Sequence, residues 1–572
     1  AANTFSGAAT INAGTLTIGV ANALPAVAAT VASGATLDVA SNLTLSTLNT
    51  AGTTSVAGGK ILTLSGGSLT GVVSGTGGLA KTGTNSLTLT SNQAYTGTTT
   101  VSDGYLVLGN QTSSGSVAGN IVNNAVLTFA RSDSYSYAGV VSGSGVIFQS
   151  GGTGSILTLT GVNTYSGTTN ISSGTLKLGA VNTLPTATTV SLQAIGTLDV
   201  GFNQTVGRLD GLAGSSVILG SGAKLTIAGS SGTQFDGALS GGGALALAGT
   251  GPLTLTATNL FSGGITLESG SSLSVSADAN LGAVPGSATA GQLTFNGGSL
   301  QATASFSLNS NRGIGLGSGG GTIYTATTVS LSYGGIITGT GGLTKSDPGA
   351  LTLGGASTYT GATLITGGKL LVTNSAGSGT GSGSVTVSSG AIFGGTGTIT
   401  GPLFLNSGGI VSPGLIPGTL NVGATTFAGG SKFDFKINDA TGAVNTSWNL
   451  LNISGGLTLT ATSGNPFIVN LSSLTLGNLA GTAANFNSSL SYNWQFVTAS
   501  AGVTGFDATA FQFNTSLFQN SLGTGNFYVS QSGNSLLLNF TPVPEPATWA
   551  LLALGLSPIV LVLRRRRAFP RS

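Results

Sequence analysis

The stretch Leu87-Thr88-Leu89-Thr90-Ser91-Asn92-Gln93-Ala94-Tyr95-Thr96-Gly97-Thr98-Thr99-Thr100-Val101-Ser102-Asp103-Gly104-Tyr105-Leu106-Val107-Leu108 decides the fold. It opens on strict alternation of Leu and Thr, the period of a half-buried β-strand. An aromatic residue follows, Tyr95. Glycines stand two and nine residues after it, Gly97 and Gly104, and leucines eleven and thirteen after it, Leu106 and Leu108. The same offsets recur around Phe5, Tyr165, Phe261 and Tyr359. Gly7, Gly167, Gly263 and Gly361 stand at +2; Gly14, Gly174, Gly270 and Gly368 stand at +9. The apolar pair is Leu16/Ile18, Leu176/Leu178 and Leu370/Val372, and in the fourth copy it is shifted by one to Leu273/Val275. An Asn two residues before the aromatic completes the pattern at Asn3, Asn163 and Asn259.

Upstream halves repeat as well. Gly75-Thr76-Gly77-Gly78-Leu79 before Leu87 is matched by Gly339-Thr340-Gly341-Gly342-Leu343 before Leu351. Asn22-Ala23-Leu24-Pro25 with Leu37-Asp38-Val39 is echoed by Asn182-Thr183-Leu184-Pro185 with Leu198-Asp199-Val200. Glycine clusters at about ten-residue intervals supply turns, and no helical period of useful length precedes residue 547. A sandwich or barrel fits that spacing, but the repeat runs far beyond one sandwich. The sequence therefore predicts an all-β parallel β-helix, with roughly 20-residue coils stacked about 4.8 Å apart. Leu, Ile and Val point inward, Thr and Ser outward.

Composition narrows the function. Charged residues are 5% of the 572, while Gly numbers 97. The net charge of +3 is misleading: setting aside Arg564–Arg567, Arg571 and Glu545, residues 1–543 hold 11 Lys/Arg against 12 Asp/Glu. No basic face exists for nucleic acid, so no nucleic-acid partner is expected. Cys and His are absent, which removes disulfides, thiolate metal sites and the usual general base. Met is absent too, which fits either a removed signal peptide or a fragment. The body acids are dispersed. Stacking could bring Asp199 and Asp210 together, whereas Asp434 and Asp439 read as a charged loop. The glycine-rich turns carry Thr and Ser where calcium-binding nonapeptides need Asp. No catalytic residue, cofactor or metal site is expected.

Twelve of the 23 Phe fall between Phe427 and Phe540, with Trp448 and Trp494 among them. The expected organisation is therefore a repeat solenoid over 1–424, an aromatic-rich β segment closing its end over 425–541, and a tail over 542–572. That tail reads Val543-Pro544-Glu545-Pro546, an apolar run from Ala547 to Leu563, then Arg564-Arg565-Arg566-Arg567. Seventeen apolar residues sit at the short limit of a membrane-spanning helix. The four arginines would hold its C-terminal end in the cytoplasm.

The repeats resemble the autotransporter-associated β-strand repeats of bacterial passenger domains, through units such as Gly161–Thr169 and Ser173–Gly179. The segment from Gly394 to Leu420, with Ser412-Pro413-Gly414, looks like the late coils of such passengers. The resemblance covers most of residues 1–470 and implies a right-handed β-helix and export, without implying an activity. The end departs from an autotransporter, which finishes in an outer-membrane barrel. It resembles a PEP-CTERM sorting domain instead. That implies Val543, Pro544, Glu545 and Pro546 as sorting signal, Arg564, Arg565, Arg566 and Arg567 as membrane stop, and processing by an exosortase in the inner membrane. The expected function is a structural or adhesive protein of the surface or extracellular matrix of a Gram-negative bacterium. It would contact exopolysaccharide or further copies of itself. The competing expectation is a polysaccharide-active β-helix lyase or hydrolase exported by the same route.

Overall fold

Period-two alternation becomes the two faces of each strand. In Ser86–Leu89, Leu87 and Leu89 are fully buried and Thr88 is half-buried. A computed structural model describes residues 3–414 and 416–543. The chain divides into two compact units, Ala1–Tyr324 and Thr325–Ser572. Both are parallel β-solenoids. Among the described residues the only helices are two short 3-10 turns, Asp278–Leu281 and Ala508–Ala510.

In the first unit, strands Ala9–Ile11, Ala28–Val31, Leu43–Thr50, Ile61–Leu69, Ser86–Leu89 and Tyr105–Leu108 pair in parallel, in order. The register stacks Ile11, Val31, Thr50, Leu69, Leu89, Leu108 and Phe129 in one inward column. Each apolar member is worth about 1.5–3 kcal/mol of burial. Thr50 is the polar exception, and its hydroxyl donates to the Gly52 carbonyl at 3.0 Å.

The second unit repeats the scheme. Strands Ser330–Tyr333, Ala350–Leu353, Lys369–Val372, Ile392–Gly395 and Ile410–Pro413 stack Leu331, Leu351, Leu370, Phe393 and Val411 inward. Beyond residue 425 the parallel ladder continues through Lys432–Ile437, Phe467–Ser473 and Phe511–Leu517. The direction then changes: Ser535–Thr541 pairs antiparallel with both Tyr492–Ala499 and Asn526–Ser532. Trp494, Phe496 and Phe540 are fully buried there, and Tyr492 stacks on Trp494 with ring centroids 5.3 Å apart.

Two glycine offsets have separate causes. At +9, Gly14, Gly104, Gly174, Gly270 and Gly368 all have φ between 61° and 79°, which an L side chain adopts only with strain. At +2 the reason is close approach: a Cβ on Gly97 would lie 2.3 Å from the Gly77 carbonyl oxygen, and one on Gly361 2.4 Å from that of Gly341. These partners belong to the Gly-Thr-Gly-Gly-Leu upstream halves. The first copy is looser: nothing stands within 4 Å of a Cβ on Gly7, and Phe5 is 42% exposed.

Among the described residues no helix is long and apolar enough to cross a membrane. The expected span Ala547–Leu563 and the residues Pro544, Glu545, Pro546 and Arg564–Arg567 lie outside the described residues.

Candidate functional site

Four of the five repeat aromatics, Tyr95, Tyr165, Phe261 and Tyr359, are fully buried at coil corners. The tyrosines each meet a threonine four residues on. Tyr95–Thr99, Tyr165–Thr169 and Tyr359–Thr363 are hydroxyl pairs at 2.6 Å. Where the aromatic is Phe261, the fourth residue is the buried Ile265. The sequence thus changes both partners together, so no hydroxyl is orphaned. Burial pushes the Tyr95, Tyr165 and Tyr359 phenols well above their ordinary range, with the threonine hydrogen bond pulling weakly the other way.

The amide at −2 ties each coil to its predecessor. Asn163 Oδ1 accepts from the Val141 N–H at 2.7 Å, Asn259 Oδ1 from Leu239 at 2.8 Å, and Gln93 Oε1 from Val73 at 2.7 Å. Their amide nitrogens donate to carbonyls, as Asn163 does to Thr183 and Asn259 to Asn280. Ser357 holds this position in the last copy, and its hydroxyl is buried without a partner. Other polar ties gave no sequence signal. Lys81 and Lys345 are fully buried, and each ammonium donates to three turn carbonyls: Thr82, Gly83 and Asp103, and Ser346, Asp347 and Gly367. Burial lowers both, Lys345 to about 8, with Asp103 and Asp347 opposing the shift. Arg312, 3% exposed, donates to the Asp278 carboxylate and to the carbonyls of Asp278, Leu281, Ala283 and Gly282.

Outside, the register builds a surface of repeated chemistry. Thr10, Thr30, Asn49, Ser68, Thr88, Val107, Thr128, Phe148, Asn170, Ser191 and Asp210 follow one another on adjacent coils, 19 to 22 residues apart. The pairing of Gly211 with Phe235 carries the ladder on to Gln234 and Thr254. At about 4.8 Å per step this is on the order of 60 Å of outward side chains, hydroxyl and amide groups interrupted by Val107 and Phe148 and joined by the Asp210 carboxylate. At its far end Arg208, Asp210, Gly232, Thr233, Gln234, Pro252 and Thr254 line an open groove of about 450 Å³. The second unit has shorter ladders: Asn514 donates to Asn470 and Asn470 to Asp434, and Thr498 donates to Asn452 and Asn452 to Asn421.

The dispersed acids stay dispersed. Asp199 faces Lys177 in the ladder and binds it at 2.9 Å, while Asp210 lies opposite Ser191 and binds Arg208 at 3.1 Å. The register does not set the two aspartates opposite each other, because they belong to different columns of neighbouring strands. Asp434 and Asp439 part as well, Asp434 to Asn470 and Asp439 to Asn485. Carboxylates with a resolved shift move downward: Asp133 through Arg131, Asp236 through Thr256, Asp439 through Asn485 and Asp507 through Thr509. A carboxylic acid that protonates a leaving group needs the opposite shift. No group of three or more metal-ligating side chains forms among the described residues. Of the sorting residues only Val543 is described. It is exposed, and its carbonyl accepts the Thr524 hydroxyl at 2.5 Å.

A parallel solenoid whose coils are closed by this aromatic, glycine and amide pattern has counterparts. Residues 1–18, 79–108, 152–178, 240–275 and 343–372 match the family described as Passenger-associated-transport-repeat, and each segment contains one of the five aromatics. The repeats are passenger-like. The chain is also similar to the Adhesin BmaC autotransporter of Brucella suis biovar 1 (strain 1330), 29% identical over 371 residues, which are 58% of this chain and 11% of that protein. The match thus spans about a tenth of that relative's length.

Proposed function

We propose that this chain is an exported structural or adhesive protein of the cell surface or biofilm matrix of a Gram-negative bacterium, whose coils bind polysaccharide by weak, repeated contacts. The observation that carries this reading is the outward ladder from Thr10 to Thr254, which sets mostly polar side chains, broken by Val107 and Phe148, at one strand spacing. One hydroxyl or amide contributes little, but many tethered contacts act at high effective concentration. The groove at Arg208, Asp210 and Gln234 adds a place where a sugar's hydroxyls meet a donor and an acceptor together. Similarity to an adhesin supports the adhesive part. None of the four carboxylates with a resolved shift moves upward, the direction a general acid of the polysaccharide-cleaving alternative needs.

The sorting route is part of the same reading. An exosortase in the inner membrane recognises Val543-Pro544-Glu545-Pro546, the chain is held there by Ala547–Leu563 and Arg564–Arg567, and cleavage releases the body outward. The winding is right-handed, and residues 425–541 close the solenoid. The test has two arms. The full chain should co-sediment with matrix polysaccharide, less so with Asp210→Asn and Gln234→Ala together, and release no reducing or unsaturated sugar ends. In cells, Glu545→Ala should keep the protein in the inner membrane. Sugar release lost on replacing one Asp, or surface protein still carrying Arg564–Arg567, overturns the reading.

A further inference from the structure

Large apolar side chains more than 60% exposed are few among the described residues: Leu260 in the first unit, and Leu476, Leu479 and Leu517 in the second. The last three come together through the backbone. Leu476 and Leu479 ride on a tight turn closed by the Leu479 carbonyl accepting from the Thr475 N–H at 2.8 Å. Leu517 lies opposite Ser472 in the ladder, and the next strand end is tied back by Gln519 N–H to Ser473 Oγ at 2.6 Å. Asn520 bonds both the N–H and the carbonyl of Ala483, which carries the cluster toward Leu490, 54% exposed. Ser488 packs by Gly523, and the neighbouring Thr524 hydroxyl holds the Val543 carbonyl. These exposed leucines therefore share one end of the unit with the point where the described chain stops.

That stop fixes a distance. Ala547 is the fourth residue after Val543, so the apolar run begins within about 14 Å of Val543 in any conformation. A headgroup layer is only about 5–8 Å deep. The charge pattern agrees: from Ile437 to Val543 there is no Lys or Arg, and only Asp439 and Asp507 are acidic. Little charge has to be desolvated where this end meets lipid.

The geometry points to a bilayer-docking end: Leu476, Leu479, Leu490 and Leu517 rest in the lipid interface while the tail spans the membrane. The inference rests on the membrane reading of Ala547–Leu563 above. Since the docking is apolar, it is insensitive to salt and to lipid charge, unlike attachment through a basic patch.

The natural absence of cysteine makes the test direct. Leu479→Cys, Leu552→Cys and Thr88→Cys are each labelled with an environment-sensitive dye in the full chain, reconstituted in phosphatidylcholine vesicles. The dye at 479 should be blue-shifted and several-fold less quenched by iodide than the dye at 88, unchanged by added salt or anionic lipid. Replacing Leu476 and Leu517 by Ser together should raise quenching at 479. A dye at 479 as accessible as that at 88, with the dye at 552 shielded, overturns the docking end and leaves the membrane tail standing. An accessible dye at 552 overturns both. Shielding at 479 that grows with protein density at fixed lipid identifies a second copy as the occupant and also overturns the inference.

Discussion

Tyr95 and Thr99 offer the sharpest test of how the coils are held. Both side chains are fully buried and their hydroxyls meet at 2.6 Å. Tyr95→Phe leaves the Thr99 hydroxyl in the core without this partner, at a cost of about 1–3 kcal/mol. Thr99→Ile leaves the phenol in the same position and costs about as much. The double variant removes both hydroxyls and recreates the native Phe261–Ile265 pair, so its loss should stay within about 1 kcal/mol. The coupling energy is then about 2–3 kcal/mol, far from additive. A solenoid of this size need not unfold in one step, so a global midpoint is a blunt measure. Amide hydrogen exchange in Thr99–Val101 and in its ladder partner Ile121–Asn123 reads the local opening energy directly. Each single variant should speed exchange there roughly tenfold or more, and the double should return toward wild type. Additive effects in the double variant would refute the reasoning, because the hydroxyls would then be satisfied independently.

Gly361→Ala forces a methyl against the Gly341 carbonyl and should cost about 1–3 kcal/mol, while Gly7→Ala, in open space, should cost almost nothing; thermal melts of the two compare them. Arg312→Met removes a buried guanidinium and strands the half-buried Asp278 carboxylate and several carbonyls, and should cost about 3 kcal/mol by urea denaturation. The buried phenols of Tyr95, Tyr165 and Tyr359 have folded pKa values above their unfolded ones. The native state therefore keeps protons that the unfolded state releases. Their contribution is intact below about pH 10 and falls by about 1.4 kcal/mol per pH unit per group above it. Absorbance near the phenolate band should show the three buried phenols ionising only as the strands unfold.

The repeat offsets made the all-β parallel solenoid legible, because a glycine at +9 or +2 and a leucine at +11 or +13 state a backbone requirement that recurs with the coil. The shift in the fourth copy was also visible, and Leu273 and Val275 are buried as their counterparts are. Phe5 shows the limit: the residue type matches the other anchors, yet it is exposed, since burial depends on neighbours that the offset pattern does not specify. The same holds for the acids. Asp199 and Asp210 are eleven apart in sequence, but which column each joins is set by register, and each finds its own cation. Lys81, Lys345 and Arg312 were invisible as core residues, because a cation enters a core only where turn carbonyls converge on it, and carbonyl direction is not written in residue type. The outward ladder was implied by the Thr in Leu-Thr-Leu-Thr, but its length depended on register holding from coil to coil.

The acceptor oxygens of the amides at −2 point one way, while the nitrogens of Asn163 and Asn259 reach forward to the next coil. Asn163 completes Val141, Asn259 completes Leu239 and Gln93 completes Val73, each serving the coil made before it. A coil of this kind is unfinished until its successor arrives, so growth is vectorial: each new turn is both a template and the closure of the last. A nascent chain emerging N-terminus first would always carry one incomplete turn at its leading edge of order. The reversed strand Ser535–Thr541 breaks that direction, since it runs antiparallel to Tyr492–Ala499, whose other edge still pairs in parallel with Leu450–Ile453.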